Sequence, residues 1–293
     1  MSRNAYTHMK RGAIESPARI AVRRLLKSPS ALVGMSILGC LILLTLFSSL
    51  ISPYDPIGIS PREALERPST HHLMGTDDLG RDIATRVIFG TRISLVIGLV
   101  AVGLGGSIGL VVGLISGYSG GIIDLLTMRF MDIMLAFPGI LLALVIMVIL
   151  GPSLRNVMLA VGISDIPMYV RLVRGSVISA KENTFVEAAR AVGCNRWLIM
   201  FRHILPNVVA PFIVVSTLEV ANAILIAAAL SFLGMGAQPP TPEWGAMLSE
   251  GRRYIRMAWW MITFPGLMIM LSVLGINLLG DGLRDALDPK VRR

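Results

Sequence analysis

The sequence predicts an all-α polytopic membrane protein of about six transmembrane helices. Three observations predict it. Of 293 residues, 54% are hydrophobic and only 15% charged, against roughly 25% charged in soluble domains. The mean hydropathy is +0.71. Several windows hold about 20 largely apolar residues, the length that crosses a bilayer as a helix. A β-barrel would show short alternating segments instead. The first 30 residues are basic and interrupted by Pro17 and Pro29, and the apolar run after them has spanning length, so the start does not read as a cleavable signal.

The elements follow in order. A basic tail occupies 1–30. Span one covers 31–51 and ends at Ser52-Pro53. A polar loop, 52–92, is rich in Pro and acids and contains GTDDLGRD (75–82). The core, 93–279, holds the other spans, predicted at 93–116, 133–150, 157–178, 208–230 and 259–279. Gly151-Pro152 stops the third. The fourth is the most polar, with Asp165, Pro167, Arg171 and Arg174 in it. A tail, GDGLRDALDPKVRR, fills 280–293. Gly105, Gly109, Gly113 and Gly117 recur every fourth residue, a bare helical stripe where a neighbouring helix approaches closely, either within the subunit or at a dimer interface.

Six spans place both termini on one side, and positive charge selects which. The segments on the N-terminal side hold 18 of the 27 Lys and Arg, and the opposite segments hold 9. Both termini are therefore expected in the cytoplasm, with 52–92 and 232–258 outside. The net charge of +9 is concentrated in the N-terminal tail (Arg3, Lys10, Arg11, Arg19, Arg23, Arg24, Lys27) and in one cytoplasmic insert, so it reads as a topology signal and not as a nucleic-acid surface. Cys40 lies in a span and Cys194 in the insert, which argues against a disulfide.

No chemistry of its own is visible. The four lysines, Lys10, Lys27, Lys181 and Lys290, never follow a glycine, so there is no phosphate-cradling Gly-Lys-Ser/Thr. GxSxG, HExxH and CxxC are absent. His71-His72 reads as a solvated pair in a polar loop rather than a metal site; His8 is in the tail and His203 in the insert. Asp165 and Glu219, with Asn222 near the latter, are candidate cavity-lining residues, since ionisable groups are expensive in lipid. They show no proton-relay pattern. Trp244, Trp259 and Trp260 read as interface anchors.

The insert is EAARAVGCNRWLIMFRHILPN, residues 187–207. Glu187–Val192 suits a short helix, Gly193 permits a sharp turn, Asn195 caps a second helix over Arg196–Ile204, and Pro206 closes it. Ala188 and Ala189 let a partner approach the backbone, and Trp197, Leu198 and Phe201 supply an apolar face.

Glu187-Ala188-Ala189, Gly193 six residues on and Leu205-Pro206 together resemble the EAA loop of ABC importer permeases, here 180–206. His203 departs from the pattern, which favours Ile there. GTDDLGRD (75–82), GYSGGIIDLLTMRFMDIMLAFP (117–138), LSFLGMGAQPPTPEWGAML (230–248) and GDGLRDALDP (280–289) extend the resemblance over roughly residues 30–290, to the dipeptide/oligopeptide/nickel branch and its dipeptide-permease C type. The resemblance implies a type I ABC importer permease core of the MetI-like kind. It implies a homologous second permease as heterodimer partner, two cytoplasmic ATPase subunits, a periplasmic or lipid-anchored substrate-binding protein, and a bacterial or archaeal cytoplasmic membrane. ATP and Mg2+ would lie on the ATPases, with no cofactor here. Glu187, Ala188, Ala189 and Gly193 would form the coupling contact, with Leu205-Pro206 fixing its exit. Asp165 stands where relatives often carry a bulky aromatic. Asp77, Asp78, Arg81 and Asp82 are read as bracing the outer loop rather than meeting the binding protein, and Asp281, Asp285 and Asp288 with Arg284 as stabilising the end of span six. Peptide is the expected cargo; nickel chelates or another small solute, and an ion-coupled secondary transporter, are the alternatives.

Overall fold

The computed structural model describes residues 17–287. Arg3, His8, Lys10, Arg11, Asp288 and Lys290 lie outside the described residues. Within them the chain is helical, linked by turns and loops, with one isolated β-bridge between Thr76 and Asp82.

A short α1 (Pro17–Leu25) precedes α2 (Pro29–Leu46), which starts with Ser28 as N-cap and a proline in its first turn, where a missing N–H costs little. A last turn, α3 (Ser48–Ile51), leads to the outer loop. Then comes α4 (Ile83–Ser119), 37 residues long, roughly 55 Å at 1.5 Å per residue. It begins ten residues before the predicted span, at Asp82, whose carboxylate accepts from the Thr85 N–H at 2.7 Å. This turn lies in the segment expected as polar loop; the charge of Arg86 is matched there by acids in the cap described below.

The predicted third span is not one helix. α5 (Gly121–Leu135) and α6 (Gly139–Leu150) meet at 88°. Pro138 has no N–H and disfavours helix in the residue before it, so the break falls there. With 12 residues, α6 reaches roughly 18 Å, short of the ~30 Å hydrocarbon core. The other spans are single helices: α7 (Leu154–Lys181), α10 (Leu205–Phe232) and α12 (Trp260–Leu287). Between them lie α8 (Thr184–Ala191), α9 (Arg196–Leu198) and, in the outer loop, α11 (Trp244–Gly251). Five helices are long and apolar enough to span, and the bent pair brings the number to six. Residues 280–287, expected as tail, continue α12.

The glycine stripe has one partner, α7. A Cβ on Gly105 would meet the Gly162 carbonyl oxygen at 2.5 Å, one on Gly113 the Val170 carbonyl at 2.8 Å, and one on Gly117 the Val177 Cβ at 2.9 Å. The stripe is therefore packing within the subunit. A second close seam, not anticipated, joins α2 to α12, where a Cβ on Gly34 would meet the Gly275 carbonyl oxygen at 2.7 Å.

The outer loops fold into a cap. Trp244 and Trp260 are buried in it, donating Nε1 to the Val87 and Thr76 carbonyls at 3.1 and 3.0 Å. They are core residues rather than interface anchors; only Trp259 is exposed. A buried indole needs such an acceptor, and each finds a backbone carbonyl, Trp244 sharing that of Val87 with the Thr91 hydroxyl. Arg81 bonds Asp77 at 2.6 Å and Glu250 at 3.0 Å, and Arg86 reaches Glu250 at 3.2 Å. The acids around 77–82 thus brace the cap. His72 is buried, not solvated: Nδ1 sits 3.0 Å from Asp82 Oδ1, under the Tyr54 ring.

Candidate functional site

At the end of the bundle opposite the cap, residues 181–208 form one body with the spans. Val186, Ala189, Ile199, Met200, Ile204 and Val208 are buried against Leu114 of α4 and Val173, Val177 and Ala180 of α7. Lys181 donates to the carbonyls of Tyr118 and Gly117 at 2.8 and 3.2 Å, satisfying acceptors at the end of α4. Asp124 of α5 takes Arg174 of α7 at 2.6 Å and Ser116 of α4 at 2.6 Å. α8 is therefore packed against α4 and α7, whose ends Asp124 of α5 ties together.

Its turn has a complete hydrogen-bond pattern. Gly193 has φ +83°, its N–H bonds the Arg190 carbonyl, and the Cys194 N–H bonds the Ala189 carbonyl, both at 3.0 Å. This is a Schellman closure, which requires a left-handed residue after the helix. Asn195 then caps α9 by accepting from the Leu198 N–H at 2.7 Å. The second helix of the insert differs from expectation. Only Arg196–Leu198 is α-helical; Ile199–Ile204 is π-helical and runs straight into α10. Pro206 does not end the insert. It sits in the first turn of α10, where proline is tolerated, so the insert and span five form one rod. π-helical turns are frequent at functional sites.

The motif residues divide between two faces. Glu187, Ala188 and Gly193 are exposed. Ala189 is 8% exposed and packs inward, with Leu205 half-buried behind it. Beside the exposed motif lie Val192 at 84% exposure and the stacked pair Trp197 and Phe201, 6.0 Å apart. A cleft of about 610 Å³ between this segment and the end of α4 is lined by Arg190, Arg196, Trp197 and Tyr118. Apolar side chains exposed beside small residues on a rigid support suit protein docking.

A second polar feature lies at mid-height. Asp165 is near the middle of α7 and Glu219 near the middle of α10, close enough to act on each other electrostatically. Glu219 accepts from Asn222 at 3.0 Å. Asp165 is 8% exposed, and its Oδ2 has no hydrogen-bond partner. The hydroxyls of Tyr169 and Ser216 lie near each other yet do not reach hydrogen-bonding geometry. An unsatisfied buried polar atom costs about 1–3 kcal/mol, so Asp165 Oδ2 is costly to maintain in this seam. Asp165, Glu219 and Asn222 were visible in the sequence as intramembrane polar residues. Tyr169 and Ser216 were not, because a tyrosine or serine in a span gives no signal until the neighbouring helix is known.

In the cap, Glu243 is buried and caps α11, accepting from the Gly245 and Ala246 N–H groups at 2.9 Å each. Burial pushes its carboxyl above the ordinary glutamate range, against the pull of those two N–H groups.

Comparison with known proteins gives a consistent result. Residues 109–293 match the model of the binding-protein-dependent transport system inner membrane component family, and residues 16–68 match the N-terminal transmembrane domain of oligopeptide transport permease C. The chain is 51% identical over 277 residues to the dipeptide transport system permease protein DppC of Alkalihalophilus pseudofirmus, covering 94% of this chain and 91% of the relative. It is 45% identical over 290 residues to the glutathione transport system permease protein GsiD of Escherichia coli O1:K1 / APEC, covering 99% and 96%. The fold is similar to a chain of the inward-facing MetNI methionine ABC transporter, with a TM-score of 0.57 at 21% identity over 69% of this chain and 96% of that one.

Proposed function

The chain belongs to the binding-protein-dependent transport inner membrane component family, the permeases of ABC importers, and on that premise we propose that it moves di- and oligopeptides across the cytoplasmic membrane, driven through α8 by ATPase partners. Permeases of this family are multi-pass membrane subunits that work with ATPase and substrate-binding subunits and are not themselves enzymes. The cargo is proposed from the dipeptide and glutathione permeases among its relatives.

The observation that carries the coupling role is the division of α8. Glu187 and Ala188 face out while Val186 and Ala189 are packed under them. A force on the exposed face is thus delivered to α7 and to the rod of α9 and α10, a rigid-body route to alternating access. In this reading Glu187, Ala188 and Gly193 touch the ATPase, Ala189 and Leu205 carry the load inward, and Pro206 lets the rod start. Both termini and α8 lie in the cytoplasm, as the distribution of Lys and Arg favours. The braced outer cap then faces the binding protein, a homologous permease completes the pathway as a heterodimer, and ATP and Mg2+ stay on the ATPases. Asp165, Glu219 and Asn222 border the pathway.

The test is co-purification. The chain is expressed with its neighbouring genes, extracted in detergent and captured by a tag. A second permease and ATPases should be recovered with the wild type. Glu187→Arg and Gly193→Pro should release the ATPases while keeping the second permease. Normal ATPase recovery with both variants, or transport by the lone chain under an ion gradient, would overturn the reading.

A further inference from the structure

We propose that the seam between α7 and α10 around Asp165, Tyr169, Ser216 and Glu219 receives the cationic end of the cargo, a primary ammonium such as a peptide amino terminus. The inference rests on the transport reading above and names the chemical group that the pathway recognises.

Three observations converge. The first is a pair of carboxyl groups with no cationic partner. Among the described residues, no Lys, Arg or His forms an ion pair with Asp165 or Glu219; of the three arginines of α7, Arg171 and Arg174 are taken by Asp132 and Asp124, and Arg155 is exposed in its first turn. Carboxyl groups in a membrane interior pair with a cation or line a watery path, and this pair has no internal cation. The second is unspent hydrogen-bonding capacity. Asp165 Oδ2 is buried and unpartnered, and the neighbouring Tyr169 and Ser216 hydroxyls are buried with no partner beyond each other. Tyr169 is fully buried one turn along α7 from Asp165, and both carboxylates act on it electrostatically. Pro167 adds to this, because it has no N–H to give the Ile163 carbonyl, one turn back on the same helix. The third is access. Asp165 lies inside the seam, whereas Glu219 is half-buried and Asn222, which holds it, is exposed. The pair therefore runs from an open face of α10 into the core.

The acceptor set fits an ammonium. An –NH3+ group offers three donors and no acceptor, and the seam offers carboxylate, hydroxyl and carbonyl oxygens. It does not suit a metal: among the described residues no group of three or more His, Cys, Asp or Glu is arranged to hold one. The other arginines of these spans give the seam no competing cation, so a cargo ammonium supplies the charge that is missing.

The whole transporter, with its second permease, ATPases and binding protein, is reconstituted in proteoliposomes. ATP-driven uptake is measured for dialanine and for N-acetyl-dialanine, and the ratio is compared between wild type and variants. The same binding protein is used throughout, so its own preference cancels. Asp165→Asn and Glu219→Gln should each lower the dialanine preference at least tenfold, and Asp165→Glu should keep it. Glu219→Gln lies on the open side of the seam, so it reports even where Asp165→Asn disturbs folding. A ratio that does not move, including one in which the blocked peptide never enters, overturns the proposal. So does an equal loss of both cargoes from an assembly that still co-purifies, which marks a structural role. Absence of ATP-dependent uptake by the wild type would overturn the transport reading itself, a separate result.

Discussion

Gly105 of α4 lies so close to Gly162 of α7 that a Cβ on it would stand 2.5 Å from the Gly162 carbonyl oxygen. Backbone cannot yield as a flexible side chain does. Gly105→Val should therefore force the two helices apart, at about 1–3 kcal/mol for overpacking, and lower the thermal stability of the detergent-extracted subunit. Gly103, on the same helix, has nothing within 4 Å of a Cβ. Gly103→Val should leave the melting temperature nearly unchanged. Equal behaviour of the two variants would show that the seam is not closely packed.

Gly193 presents the opposite case. A Cβ there would meet nothing within 4 Å, but φ is +83°. The cost of Gly193→Val is conformational, about 1–2 kcal/mol for a left-handed residue, and falls on the Schellman turn. Subunit stability should change little, while binding-protein-stimulated ATP hydrolysis by the complex should fall several-fold. Gly193→Asn should retain more activity, since Asn tolerates this conformation. An Asn variant no better than Val would count against the turn as the cause.

Arg86 is 1% exposed, beside Asp77 and Glu250 in the outer cap. Removing one member of a buried charged group leaves the others uncompensated, typically at 3–5 kcal/mol. Arg86→Ala should therefore destabilise the subunit strongly, and thermal unfolding should show little salt dependence because the group is shielded from solvent. A loss under about 1 kcal/mol would place the cap's stability in its tryptophans instead.

Glu243 makes the cap sensitive to pH. Its folded pKa is raised above the ordinary 4.5 by burial. A carboxyl that binds its proton more tightly when folded stabilises the fold most below its unfolded pKa. That contribution is lost as pH rises from about 4.5 through the raised value. Melting temperature should therefore decline over that window, and Glu243→Gln should flatten that part of the profile while keeping an oxygen acceptor on α11. A profile unchanged by the substitution would assign the pH dependence to other carboxyls.

Much of this was legible before any coordinates, for identifiable reasons. Lipid imposes a minimum length and apolarity on a helix, so the five unbroken spans follow from local composition. Gly193 and Asn195 announced a turn because their backbone and side-chain preferences act within a few residues. Composition misled where a distant partner reversed its meaning. Pro138 lies in a run apolar enough to span, but its missing N–H splits that run into α5 and α6. The first turns of α4 fall in a segment expected as polar loop, because Asp77 and Glu250, which match the charge of Arg86, are brought to it only by the fold.

The sequence by itself determined that this chain is a helical membrane protein with a charged, turn-closed insert, because hydropathy and capping are short-range properties; that it is a permease came from its resemblance to a family. Tertiary structure alone decided that the glycine stripe packs on α7, that Ala189 faces inward while Ala188 faces out, that Trp244 and Trp260 are core residues, and that Asp165, Tyr169, Ser216 and Glu219 share one seam. Each of these depends on which helix stands opposite, and residues scores of positions apart carry no local mark of the neighbour they will meet.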